Sequence, residues 1–250
     1  YIQDIDQTYI FTNCDITWLD KILKKYIKTD NFLYVHDREM DARYPTIRPN
    51  WFFDNDYRGS WLYQQALKLA SVDYIDADCV LIQDPDTFSI VPYNCYENNK
   101  LKYFILPNET HSYGYYKVLD ALGIPRQTPH CFVTEFMPML KEDWLSMKHT
   151  LSSLNNCDPF DAIINSVPIE QYDGLKWFSE YEFIGNWAMS QRDVNLIEQK
   201  RFQYKTLDEL DNLTQDYNCV CDAIPKLENS LLLDHVTETV IDFDHIFNKV

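Results

Sequence analysis

The chain has 250 residues, 46% of them hydrophobic and 15% aromatic, with only 5 Gly and 11 Pro. That balance allows one large domain or two small ones and excludes collagen-like, low-complexity and disordered classes. Its 22 Lys and Arg against 39 Asp and Glu give a formal charge of -17, so a nucleic-acid backbone or an anionic membrane is repelled overall.

In chain order, Tyr9-Ile10-Phe11 is a short β-prone run, and the segment Ile16 to Ile27 carries apolar residues at helical spacing behind Asp15. Asn31 to Val35 predicts a second strand and the Pro-rich segment up to Asp56 a loop. Ser60 to Ala70 predicts a helix packed through Trp61, Ala66, Leu69 and Ala70, and Tyr74-Ile75 a third strand. This alternation predicts an α/β fold, a Rossmann-like and mostly parallel sheet flanked by helices, with ligands beyond the carboxyl ends of the strands. Tyr103 to Leu106 and Cys131 to Phe136 predict strands around a helix at Tyr115 to Leu122, which Gly123 and Pro125 close.

Lys141 to Leu154, Pro159 to Ser166 and Lys176 to Ser190 predict helices, so the second half is helix-rich. Short strands at Asn218 to Cys221 and Leu231 to Asp234 and an amphipathic stretch at Val240 to Phe247 follow. No repeat or composition break divides the chain. A single domain over 1–250 is expected, with a nucleotide-binding half over about 1–106 and an acceptor-side half over about 107–250. Seven Cys with no CxxC pair predict a reduced, cytoplasmic protein. No apolar run approaches the roughly 20 residues that span a bilayer, and the polar start Tyr1-Ile2-Gln3-Asp4 does not read as a signal peptide.

The segment Tyr74-Ile75-Asp76-Ala77-Asp78-Cys79-Val80-Leu81 sets two carboxylates around one small residue, between apolar runs. Mg²⁺ or Mn²⁺ prefers oxygen ligands and often takes only one or two carboxylates plus substrate phosphates, so this D-x-D suits a nucleotide diphosphate. In so acidic a chain the same pair also suits a solvated turn.

Upstream lies Gly59-Ser60-Trp61-Leu62-Tyr63-Gln64-Gln65-Ala66-Leu67-Lys68-Leu69, and far downstream Ser179-Glu180-Tyr181-Glu182-Phe183-Ile184-Gly185-Asn186. The Gln-Gln helix, the D-x-D and the Ser-Glu-Tyr-Glu segment together resemble a family of bacterial and viral glycosyltransferase-like proteins. The resemblance covers residues about 59 to 186 and implies a GT-A-like single domain that transfers a sugar from a nucleotide-diphosphate donor, a UDP-sugar as the first expectation, to a glycan or other hydroxyl acceptor. It implies Asp76 and Asp78 as ligands of Mn²⁺ or Mg²⁺, with Asp76 also reaching the donor. It further implies Gln64, Gln65 and Lys68 as donor-binding residues and a late His, for which His235 fits, as a further metal ligand.

Asn13 and Asp15 follow the first strand and His36 and Asp37 the second, where a base or ribose binds in an α/β sheet. Asn13 and Asp37 are therefore nucleotide candidates, while Asp15 equally suits an N-cap. In the helix Lys176 to Ser190, Trp177, Tyr181, Ile184 and Ala188 form one buried stripe. Glu180 flanks that stripe and Glu182 points nearly opposite with Asn186. Both are catalytic candidates, with Glu180 the better placed as a base for an inverting transfer. Cys219-Val220-Cys221 reads as strand packing, and Trp51-Phe52-Phe53 as a core or loop anchor. Two rivals stand beside the transferase: a haloacid-dehalogenase-type phosphatase with Asp76 as nucleophile, and a carbohydrate-binding protein without turnover.

Overall fold

The computed structural model describes residues 6–12, 15–26, 32–47, 57–84, 87–89, 91, 93–107, 113–167, 178–204, 209 and 216–222. Asn13, Trp51 to Phe53, Trp177, Leu231 to Asp234, His235 and Val240 to Phe247 lie outside them. The chain opens with β1 (Thr8–Thr12), α1 (Ile16–Tyr26), β2 (Phe32–His36) and α2 (Asp37–Arg43), followed by α3 (Tyr57–Tyr74) and β3 (Cys79–Gln83). Then come β4 (Thr87–Ser89), β5 (Tyr96–Glu97), β6 (Lys100–Ile105), α4 (Tyr113–Ala121) and β7 (Phe136–Leu140). Three helices follow, α5 (Lys141–Asn155), α6 (Pro159–Asn165) and α7 (Glu180–Gln191), and then β8 (Asn195–Glu198), β9 (Arg201–Tyr204) and β10 (Cys219–Asp222).

The fold is mixed α/β, and its strands form several small sheets among the described residues. β1 pairs with β2, β6 with β8 and β9 with β10 in parallel, whereas β3–β7, β5–β6 and β4–β10 are antiparallel. The pairing is thus more antiparallel than the strand-helix alternation suggests. The hairpin β5–β6 is one reason: Asn98 and Asn99 adopt φ of 54° and 60°, the left-handed pair that turns a two-residue loop back on itself.

Local chemistry sets most helix ends. Asp15 Oδ1 accepts the Trp18 N–H at 2.9 Å, so Asp15 caps α1. α4 stops in a Schellman arrangement: Gly123, at φ +71°, donates to Asp120 O, and Ile124 donates to Leu119 O at 2.9 Å. Asp158 caps α6 ahead of Pro159, and Ser179 caps α7. Two expectations change. Asp37–Arg43 is a short helix capped by His36 instead of loop, because Asp37 and Glu39 fill its first turn and suit the positive helix end. Cys131 makes only an isolated bridge to Leu106, and the strand itself starts at Phe136.

One hydrophobic core joins α3, α5, α7, β3, β6 and β7 through Leu62, Leu69, Val80, Tyr103, Met137, Trp144 and Ile184. α3 packs against both α5 and α7. Helix α7 is enclosed on every side, with all residues from Glu180 to Ala188 buried. That corrects the single-stripe expectation: Glu182 and Asn186 are as deeply enclosed as Tyr181 and Ile184.

Candidate functional site

The expected strand Tyr74-Ile75 is absent. α3 runs on through Tyr74, since no Gly or Pro interrupts Ala70-Ser71-Val72-Asp73 and Lys148 grips the Asp73 carboxylate at 2.6 Å. Asp76 and Asp78 therefore sit in the turn before β3, not at the end of a strand. Asp78 C=O accepts the Lys141 N–H at the start of α5 (2.9 Å), and Asp76 pairs with Lys141 Nζ at 3.4 Å. α5 has no side-chain N-cap, and carboxylates beside its open amides suit the helix dipole. Both carboxylates face solvent.

A different set of side chains converges at the other end of β3. From α3, Lys68 sends its ammonium to Glu180 Oε1 at 2.7 Å and to Asp84 Oδ1, just past β3, at 2.5 Å. Gln65, one helical turn earlier, sets its side-chain amide against the Glu180 carboxylate. The Tyr181 hydroxyl accepts from Lys68 at 3.3 Å, and its ring lies under the ammonium at 4.6 Å. Trp61, a turn before Gln65, stacks on Tyr115 of α4 and walls the cluster. Gln64 is half-buried, about 100° around the helix from Gln65.

The three charged groups form a ladder from core to surface. The side chains of Glu180, Lys68 and Asp84 are 0%, 12% and 20% exposed. Burial pulls the Lys68 ammonium down, but the two carboxylates outweigh it and hold its pKa above the usual lysine value. Burial pushes the Glu180 carboxyl up, with Lys68 opposing and Asp84 adding to the shift. Both oxygens of Glu180 are turned inward, so it positions Lys68 and is shielded from any acceptor.

Glu135 lies beside Asp84 at the same edge. Its C=O accepts the Asp84 N–H at 3.2 Å, and Arg201 Nη1 lies 3.9 Å from its carboxylate. Glu135 adopts φ +63°, a conformation that costs a non-glycine residue about 1–2 kcal/mol and gathers at functional sites.

Glu182 belongs elsewhere. Its Oε1 accepts the Phe132 N–H at 3.0 Å and its Oε2 the Asn186 amide at 3.0 Å, while Asn186 Oδ1 accepts the Gln127 N–H at 2.7 Å. Gly185 lies between them, directly under the Phe132 ring. The Ser-Glu-Tyr-Glu-Phe-Ile-Gly-Asn segment thus has two duties. Glu180 faces the Lys68 cluster, and Glu182, Gly185 and Asn186 clamp the loop from Gln127 to Phe132. Asp37, at the carboxyl end of β2, pairs with its neighbour His36 at 2.7 Å and is not drawn into either group.

No family model and no curated protein matches the chain. The site therefore stands on its own geometry. Of the expected residues, the structure brings together Gln65, Lys68 and Glu180, and it leaves Asp76, Asp78, Glu182 and Asp37 apart from them. Asp84 is the member of this cluster that the sequence motifs do not single out. Its signal is a second D-x-D, Asp84-Pro85-Asp86, one residue, Gln83, beyond the apolar run Cys79-Val80-Leu81-Ile82; Asp86 lies outside the described residues. Asp78 and Asp84 are about 20 Å apart along the strand, so those two carboxylates cannot share one ion. No group of three or more His, Cys, Asp and Glu side chains gathers to hold a metal among the described residues, and no helix among them is long and apolar enough to cross a membrane.

Proposed function

We propose that the chain is a metal-dependent glycosyltransferase that moves a sugar from a nucleotide-diphosphate donor, UDP-linked as the first choice, to a hydroxyl of a glycan or other acceptor. One observation carries the reading. The Gln-Gln helix and the Ser-Glu-Tyr-Glu segment, two of the three motifs behind the family resemblance, meet at a single point beside Asp84, with Lys68 and Glu180 in contact across 112 residues of sequence.

Asp84 is the carboxylate that would hold Mg²⁺ or Mn²⁺. It is a hard oxygen donor at the solvent edge, and such ions commonly take few protein carboxylates and complete their shell with phosphates. Bound there, the ion would offset charge on the departing diphosphate. Lys68 lies beside it as a fixed cation for the same phosphates, and Glu180 keeps Lys68 in place. In the transfer itself the acceptor oxygen bonds to the anomeric carbon, the bond to the diphosphate breaks, and the hydroxyl proton leaves to a base. The phosphatase reading needs Asp76 as an enclosed nucleophile, and that side chain is fully solvated.

Two substitutions separate the D-x-D pairs. Asp84→Asn should abolish the rise in melting temperature that UDP with Mn²⁺ gives the wild type, because a ligand of the native state stabilises it by mass action. Asp78→Asn should leave that rise intact. Loss in Asp78→Asn with retention in Asp84→Asn would return the metal to the first pair. Phosphomonoester hydrolysis with a phosphoryl-enzyme at Asp76 would favour the phosphatase, and glycan binding without nucleotide-sugar turnover the binding protein.

A further inference from the structure

The rim of the site along α3 grades from uncharged to charged. Trp61, Gln64 and Lys68 recur at i, i+3 and i+7, which sets them within about 60° of one another around the axis and spreads them over about 10 Å of its length. All three are half-buried, whereas Gln65 on the inner side is 3% exposed. At one end, Lys68 with Glu180 and Asp84 sums to a single negative charge when both carboxylates are ionised. At the other, Trp61 and Gln64 carry no charge.

Trp61 is held in place. Its ring stacks on Tyr115 at 6.2 Å with 16° between the planes, and Tyr115 is only 3% exposed. Burial and, next, the Glu180 carboxylate push the pKa of the Tyr115 hydroxyl up, so this brace ends near the same carboxylate that anchors Lys68. A ring fixed beforehand loses little freedom when a ligand settles on it. Gln64, beside Trp61 on the helix surface, makes no hydrogen bond with another described residue, and its amide offers both donors and an acceptor.

Those contacts match a sugar ring. One face of a pyranose is a set of apolar, weakly positive C–H groups that suits the negative face of an indole, and the hydroxyls around its edge both give and take hydrogen bonds. An anionic ring meets repulsion from the charged trio next door, and a neutral one does not. We propose that Trp61 and Gln64 form a subsite for a neutral pyranose of the acceptor, which lies on the indole and extends along α3 toward Lys68 and Asp84. Calling this sugar the acceptor rests on the glycosyltransferase reading. Its binding does not: a neutral glycoside occupies the subsite with neither nucleotide nor metal present.

The test uses the full chain without nucleotide or metal. Methyl glycosides of glucose, galactose, mannose and N-acetylglucosamine, and uridine for comparison, are titrated against it and followed by saturation-transfer NMR. At least one glycoside should bind saturably, with transfer to its ring C–H protons. Trp61→Leu, which keeps an apolar side chain against the core but removes the aromatic face, should weaken that binding at least tenfold. Trp61→Phe should stay within about threefold of wild type, and Gln64→Ala should lose at least threefold. Near-ultraviolet circular dichroism checks each variant for folding, and if Trp61→Leu does not fold, the Gln64→Ala loss decides. Binding of no glycoside, equal binding by Trp61→Leu, or uridine as the ligand that Trp61→Leu loses would each overturn the subsite. If that happens while UDP with Mn²⁺ still raises the melting temperature through Asp84, the transferase reading survives alone. If a glycoside binds through Trp61 while UDP with Mn²⁺ leaves the melting temperature unchanged, the sugar subsite stands and the transferase reading gives way to a carbohydrate-binding protein.

Discussion

Lys68→Met should lower the stability of the chain by about 3–5 kcal/mol, the usual result of removing one member of a buried ion pair and leaving the other unpaired. Methionine fills most of the space, so packing contributes little to the loss. The stranded group is Glu180, completely enclosed. The pH dependence then changes in sign-specific ways. In the wild type the folded chain holds the Lys68 proton more tightly than the unfolded chain does. Its contribution is therefore complete below pH 10.5 and lost as pH rises through the higher folded value. Lys68→Met should lack that alkaline loss. The lone Glu180 carboxyl, already raised by burial, goes higher still, so the variant should gain stability relative to wild type as pH falls toward the acid range. Urea unfolding across pH reads both effects. Replacing both partners, as Lys68→Met with Glu180→Leu, should recover much of the stability while binding of Mn²⁺ with UDP stays impaired. A single-variant loss under 1 kcal/mol would show that the pair is not closed in solution.

Gly185→Ala should cost about 3 kcal/mol, at the upper end of what overpacking one methyl group does. A Cβ at Gly185 would lie 2.4 Å from Phe132 Cγ and 2.6 Å from both Cδ atoms. The Phe132 ring has nowhere to go: it is fully buried, edge-on to Tyr103 at 6.0 Å, and its own N–H is tied to Glu182. The loop from Gln127 to Phe132 should loosen with it, visible as faster amide exchange at Gln127 and Phe132. Combining it with Phe132→Leu should return part of the loss. A denaturation midpoint within error of wild type would mean that this helix and loop are not in van der Waals contact.

Much of the fold is legible in the residues because local rules and burial agree there. The helix from Tyr57 to Tyr74 carries Leu62, Ala66 and Leu69 at helical spacing, and its buried face follows. The Asp15 and Gly123 signals at helix ends act through backbone hydrogen bonds that need no distant partner. Tyr74-Ile75 misleads for the opposite reason: an aromatic and a β-branched residue look like a strand, yet helix α3 is held to its last turn by Lys148, 75 residues away. The site divides along the same line. Gln65, Lys68 and Glu180 are found from their motifs, whereas Asp84 depends on knowing which end of β3 meets α3 and α7. Helical periodicity places Glu182 on a face opposite the buried stripe, whereas an all-round buried helix has no solvent face for it to occupy.

The contact between Lys68 and Glu180 also governs when this site can exist. As the chain is synthesised, α3 and β3 emerge first, and Lys68 must wait until more than a hundred further residues have followed before its inner anchor arrives. Until then its ammonium is balanced by Asp84 alone, on a face still open to water. A recombinant piece corresponding to the first 106 residues would have the same defect permanently: the lysine and Asp84 would be present, but the surface meant to cover them, and the carboxylate meant to hold the lysine from beneath, would not.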